Sequence, residues 1–176
     1  MTKRIAIGLL VLLLPLMTGC TLVGFRTQDQ PQANDSMPQY ETVPDTAENA
    51  QKYAAETKRL SIQGRAALER IIRYFAKSQP KDPEWVWAVV EQIHALEETR
   101  AQLEGIEVPA GAVEVQTCLV EASRLHIEAA RLKLEGKMSG NWLKVWRAEW
   151  IGDKGDDQIW AANVLVKEYL ATFDID

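Results

Sequence analysis

The chain has 176 residues, 47% of them hydrophobic, with 20 Lys+Arg against 25 Asp+Glu and a formal charge of −5. An acidic balance of this kind argues against a nucleic-acid partner and against long-range attraction to anionic lipid, both of which call for a surplus of Lys and Arg. Its 2 cysteines are too few for a disulfide framework, and the length fits one ordinary domain behind a leader.

In chain order, the first segment is an address. Lys3 and Arg4 give a positive start, and residues 5–16 are apolar except for Gly8 and Pro15. This run is shorter than the roughly 20 apolar residues that a spanning helix needs. The small pair Thr18-Gly19 then precedes Cys20, which is signal-peptide anatomy. Met17-Thr18-Gly19-Cys20 resembles the lipobox of bacterial lipoprotein precursors, with Met17 standing where that family usually has Leu. The resemblance implies that residues 1–19 are a signal peptide cut off before Cys20, and that Cys20 carries a diacylglycerol thioether, with palmitate as a labelling acyl group. It also implies a protein held in the cell envelope, facing the periplasm or the exterior. Thr21 after the cysteine implies the outer membrane where the envelope is Gram-negative. Each buried acyl CH₂ contributes about 0.8 kcal/mol, so a two- or three-chain anchor holds durably where one chain would not. The cleaved chain keeps 18 Lys+Arg against 25 Asp+Glu. It also keeps one unmodified cysteine, Cys118, which reads as a small buried hydrophobe.

Residues 20–45 read as the lipidated Cys20 followed by a flexible tether, since "TLVGFRTQDQPQANDSMPQYETVPD" is polar and has no helical or strand period. Residues 46–176 read as a helical domain. Tyr53, Thr57, Leu60, Gly64, Ala67, Ile71 and Tyr74 step by threes and fours, the period of a long amphipathic helix. "SQPKDP" breaks it. Asp82 then offers an N-cap and Pro83 suits the first helical position. Val86, Val89, Ile93, Leu96, Arg100 and Leu103 form the second seam, which Gly105 ends. Pro109 opens a third helix, whose polar stripe (Glu114, Thr117, Glu121, Arg124, Glu128, Arg131, Glu135) is narrow enough to predict neighbours on two sides. Asn141 caps a short helix, "WLKVWRAEWI". "GDKGDD" reads as a turn, and Ile159, Ala162, Val166, Leu170 and Phe173 form the last helix. No segment reads as a strand. The predicted fold is all-α: an antiparallel four-helix bundle with an extra short Trp-rich helix, behind a signal peptide and a disordered tether. Along one helix, "VPAGAVEVQTCLVEASRLHIEAA", the domain resembles uncharacterised helical-bundle lipoproteins of bacteria, which brings no function with it.

Few residues point to chemistry. Glu91 and His94 have the Glu-x-x-His spacing of di-iron bundles, but Ser123 stands three before the only other histidine, His126, so the second unit is broken. His126 reads as a core histidine with one hydrogen-bond partner. Asp153, Asp156 and Asp157 do not follow calcium-loop order, and Ser123 lies mid-helix with no strained turn to expose it. No catalytic residue, metal ligand or cofactor is expected.

The aromatic pattern is the richer signal. Trp142, Trp146 and Trp150 recur every four residues, with Arg147 among them. Together with Trp85, Trp87 and Trp160 they are expected to cap the core at one bundle end. As alternatives, Trp142, Trp146, Trp150 and Arg147 form a partner- or ligand-binding surface, or the rings dock at a membrane interface beside Lys144 and Arg147. The function expected is a lipid-anchored envelope interaction or scaffold module with an envelope-protein partner. The alternative is a carrier or sensor for a small apolar ligand held between helices. A metal-dependent enzyme is the least supported.

Overall fold

The computed structural model describes residues 40–175. The expected signal peptide, Cys20 and all of the expected tether before residue 40 lie outside the described residues. Four helices make up nearly all of the fold: α1 Ala47–Ala76, α2 Pro83–Glu104, α3 Val113–Ser139 and α4 Trp142–Ala171. They pack as a helical bundle.

The helix starts follow the sequence chemistry. Thr46 accepts from the Asn49 backbone N–H at 3.2 Å and opens α1. Asp82 accepts from the Glu84 N–H at 3.0 Å, with Pro83 in the first helical position of α2. The Asn141 side chain accepts from Leu143 and Lys144 N–H groups at the start of α4. Between α3 and α4 the chain turns through Gly140, whose φ of +69° is the left-handed conformation that glycine adopts without steric cost.

Three expectations change. The third helix starts at Val113 rather than Pro109, because Val108–Pro109 (β2) pairs in parallel with Thr42–Val43 (β1) and a 3₁₀ turn, Ala110–Ala112, follows. Tyr40 through Asp45, read as the end of the tether, therefore belong to the folded unit. The Asp45 carboxylate accepts from the Gly111 N–H at 2.9 and 3.0 Å and from the Tyr169 hydroxyl at 3.0 Å. The third change concerns the carboxyl-terminal half. There is no separate short Trp-rich helix, since "GDKGDD" is helical and α4 runs unbroken for 30 residues.

The reason α4 continues lies in its packing on α3. Gly155 sits against the His126 ring, where an added Cβ would fall 2.6 Å from Cδ2 and Nε2. A Cβ on Gly152 would lie in ordinary contact with Ala129. At the turn, Gly136 leaves no room for one, because Val145 and Lys144 crowd it. These glycines serve close helix approach, and Asp153 and Asp157 beside them are exposed. Contacts run Gly136 to Val145, Lys133 to Glu149, Ala129 to Gly152 and His126 to Asp156, so residue numbers fall along α3 as they rise along α4.

Two apolar clusters make the core. One joins α1, the end of α2, the start of α3 and the end of α4 through Tyr53, Leu60, Leu103, Val108, Leu119, Ala162 and Tyr169. Inside it Gln116 is fully buried, donating to the Leu103 carbonyl and accepting from the Tyr53 hydroxyl at 3.1 Å. The other cluster, around Ile71, Phe75, Trp85, Val89, Ile93, Ile127 and Leu134, is drawn from α1, α2 and α3. The first half of α4 thus lies on the far side of α3 from this second core. The predicted wet stripe on α3 is present, with Arg124 bridging Glu121 at 2.7 Å and Glu128 at 3.0 Å.

Candidate functional site: the outward face of α4

One helix has two opposed faces, and α4 uses them differently. Ala148, Ile151, Gly155, Ala162 and Tyr169 are buried toward the fold. At about 100° per residue, Trp142, Trp146, Trp150, Trp160 and Val164 project from the opposite side. Their exposure agrees: Trp142 is 70% exposed, Trp146 64%, Trp150 53% and Trp160 72%. This overturns the expectation that the Trp series caps the core. The periodicity was real, but the small residues Ala148, Gly155 and Ala162 claim the inward side, where α3 approaches too closely for indole rings. Trp87 on α2 is exposed as well. Among the tryptophans only Trp85 fulfils the core role: it is 6% exposed, donates from Nε1 to the Tyr74 carbonyl at 2.9 Å and meets Phe75 edge-on.

The surroundings of the exposed rings are polar but not uniform. The Lys154 ammonium sits 3.6 Å from the Trp150 ring centroid, a cation–π contact. Arg147 is exposed on the shoulder of the stripe, and Lys144 pairs with Glu135 across the α3–α4 turn. Met138 and Leu143, exposed beside this turn, extend the apolar surface. Sequence reading missed both, and it missed Trp160 as a member of the same face, because the supposed turn at "GDKGDD" broke the register. Carried through as one helix, Trp142 and Trp160 are five turns apart and therefore aligned.

The other tempting residues do not converge. His94 is exposed and bonds Glu97 at 3.1 Å, not Glu91. His126 is nearly buried between α3 and α4, with one partner, Asp156, at 3.1 Å. The Ser123 hydroxyl donates to the Leu119 carbonyl at 2.9 Å, so it faces its own helix rather than His126. Burial raises the Cys118 thiol above its usual range, which disfavours a reactive thiolate. Among the described residues no group of three His, Cys, Asp or Glu side chains could hold a metal ion, and no helix is long and apolar enough to cross a membrane.

Two open grooves lie among the described residues: one on α2 beside Trp87, Glu91 and His94, the other between Asp45 ahead of α1, the start of α3 and the end of α4. Neither contains the α4 tryptophans.

Compared with family models, with curated proteins and with solved structures, the chain matches none of them.

Proposed function

We propose that this chain is a lipid-anchored interaction module of the bacterial cell envelope, a helical scaffold that docks on another envelope component through the outward face of α4. In this reading residues 1–19 are a cleaved signal, Cys20 carries the acyl anchor, and the residues after it let the domain reach its partner from the periplasmic or outer side. The outer membrane is the site where the envelope is Gram-negative. The helices are arranged antiparallel, an order supported by the falling-and-rising contact register of α3 with α4 and of α1 with α2, where Tyr74 meets Trp85 and Gly64 meets Thr99.

One observation carries the docking assignment. Four indole rings stand more than half exposed on a single helix face. A fully buried aromatic side chain removes about 150–250 Å² from water, so these four rings together leave several hundred Å² of apolar surface wet. That is the scale at which a patch marks an interaction site rather than scatter. Trp and Arg, here Trp142, Trp146, Trp150 and Arg147, are also the types that dominate binding hot spots. The carrier alternative would want the rings lining an interior cavity, and they face out.

The test is photo-crosslinking in native membranes from positions 146 and 160 of the full chain. A discrete adduct at either position, weakened by Trp→Ala changes elsewhere on the face that leave the melting temperature intact, supports the assignment. No adduct from either position in a correctly anchored chain refutes it.

A further inference from the structure

The tip where α3 turns into α4 differs in charge from the rest of the fold. Residues 135–154 carry four basic residues (Lys137, Lys144, Arg147, Lys154) against three acidic ones (Glu135, Glu149, Asp153), with Lys144 paired to Glu135, whereas the rest of residues 40–175 carries 13 basic against 19 acidic. The chain is acidic, but this tip is not. It is also where the large exposed apolar side chains crowd together: Met138, Trp142, Leu143, Trp146 and Trp150.

We infer that the occupant of this tip is the surface of the lipid bilayer that holds the anchor, with the rings of Trp142, Trp146 and Trp150 seated at headgroup level. The inference rests on the docking role of the α4 face proposed above. It assigns the amino-terminal half of that face to lipid.

Composition favours lipid. Indole is apolar in body and polar at its N–H, and it concentrates at membrane–water interfaces. Lysine is depleted in protein–protein interfaces, yet the exposed Lys154 lies over the Trp150 ring and Arg147 is exposed on the shoulder of the same stripe, a cationic fringe beside the rings. The cationic fringe complements anionic headgroups locally although the whole chain is negative, because at physiological salt charges are screened beyond about 8 Å.

Geometry allows it. Tyr40, where the described chain begins, packs at the Tyr169 end of the fold. From Tyr169 to Trp142 along α4 is about 40 Å at 1.5 Å per residue. The 19 residues between Cys20 and Tyr40 span at most about 65 Å. An anchor at Cys20 therefore leaves the tip within reach of the same bilayer.

A second copy fits this face less well. Asp153 and Asp157 lie on it between Trp150 and Trp160. Pairing α4 with α4 along its length about the middle of the stripe would bring these carboxylates together.

The experiment uses the full chain acylated at Cys20, reconstituted in vesicles of phosphatidylcholine with a quarter phosphatidylglycerol and brominated acyl chains. The anchor already holds the protein there, so bromine quenching of Trp fluorescence reads ring position rather than attachment. Expected is clear quenching that is mostly lost in the triple variant Trp142→Ala, Trp146→Ala, Trp150→Ala and retained in Trp160→Ala. Absence of quenching, or quenching unchanged in the triple variant, overturns the inference. Arg147→Glu with Lys154→Glu should weaken quenching in these vesicles more than in pure phosphatidylcholine, and an equal effect in both removes the headgroup-charge argument. A photo-crosslinker at position 146, which does not depend on the triple variant folding, should form lipid adducts. Adducts only to a second copy or to another protein overturn the lipid assignment while leaving the docking face intact. A chain that takes up no palmitate defeats the anchor reading instead.

Discussion

Gly155→Ala is the sharpest test of the α3–α4 packing. At a solvent-exposed helix position the change would stabilise by up to about 1 kcal/mol, since glycine is that much poorer a helix former than alanine. Here the new methyl would lie 2.6 Å from two atoms of the His126 ring. That ring is the end of a side chain only 12% exposed, so it has little room to yield. Overpacking of this kind costs about 1–3 kcal/mol. Displacing the ring also strains its hydrogen bond to Asp156, a net contribution of about 0.5–1.5 kcal/mol, taken at the low end because Asp156 is exposed. The sum is a net loss of roughly 0.5–2.5 kcal/mol. His126→Ala alone should cost about 1–3 kcal/mol through the cavity and the lost bond. In that background the clash is gone, and Gly155→Ala should turn stabilising by about 0.4–1 kcal/mol. The assay is urea unfolding followed by circular dichroism on a chain beginning at Thr21, for the wild type, both single variants and the double. A Gly155→Ala protein more stable than wild type, or two effects that add within about 0.5 kcal/mol, would refute the packing described.

The Trp85→Ala variant should lose about 3–5 kcal/mol, as buried aromatic truncations do, while Trp146→Ala should stay within about 0.5 kcal/mol of wild type; equal losses in a melting comparison would contradict the two environments. Burial, together with the hydrogen bond to Asp45, pushes the Tyr169 hydroxyl from its ordinary 10.0 up to about 12. The fold thus favours the neutral phenol, so its contribution is fully present below pH 10 and is lost as pH rises through about 12. Alkaline unfolding curves should be flatter over that window in Tyr169→Phe, and an unchanged slope would discount the pair. Cys20→Ser should abolish palmitate incorporation, and retained label would end the lipoprotein reading.

What was legible in the sequence was local. The start of α2 followed from Asp82-Pro83 and the course of α1 from its three-and-four seam, though its Thr46 cap went unread, and the α3 stripe came from its charges. The merged α4 was not legible, because glycines and aspartates at positions 152–157 carry strong turn propensity and lose to tertiary packing. A glycine that admits a histidine ring looks the same in sequence as a glycine that breaks a helix. The same error hid the candidate face. Broken at "GDKGDD", the tryptophans belonged to two elements, and nothing set their direction. Joined, the inward series Ala148, Ile151, Gly155 and Ala162 fixes the other side as outward. The Asp45 contacts were beyond reach for another reason, since they link residues 66 and 124 positions apart.

The strand pair at the base of the fold bears on how the protein takes mechanical load. A pull on the chain leading into Tyr40 does not arrive first at the opening turn of α1. It meets Thr42–Val43 laid along Val108–Pro109, with the Val108 N–H donating to the Glu41 carbonyl at 3.0 Å, and then the Asp45 carboxylate gripping Gly111 and Tyr169. Force is thereby divided among the link before α3, the end of α4 and the start of α1 before any helix can be peeled from its end. A domain pulled from its amino-terminal side would yield at this clasp, and Asp45→Ala would move the point of failure to the first turn of α1.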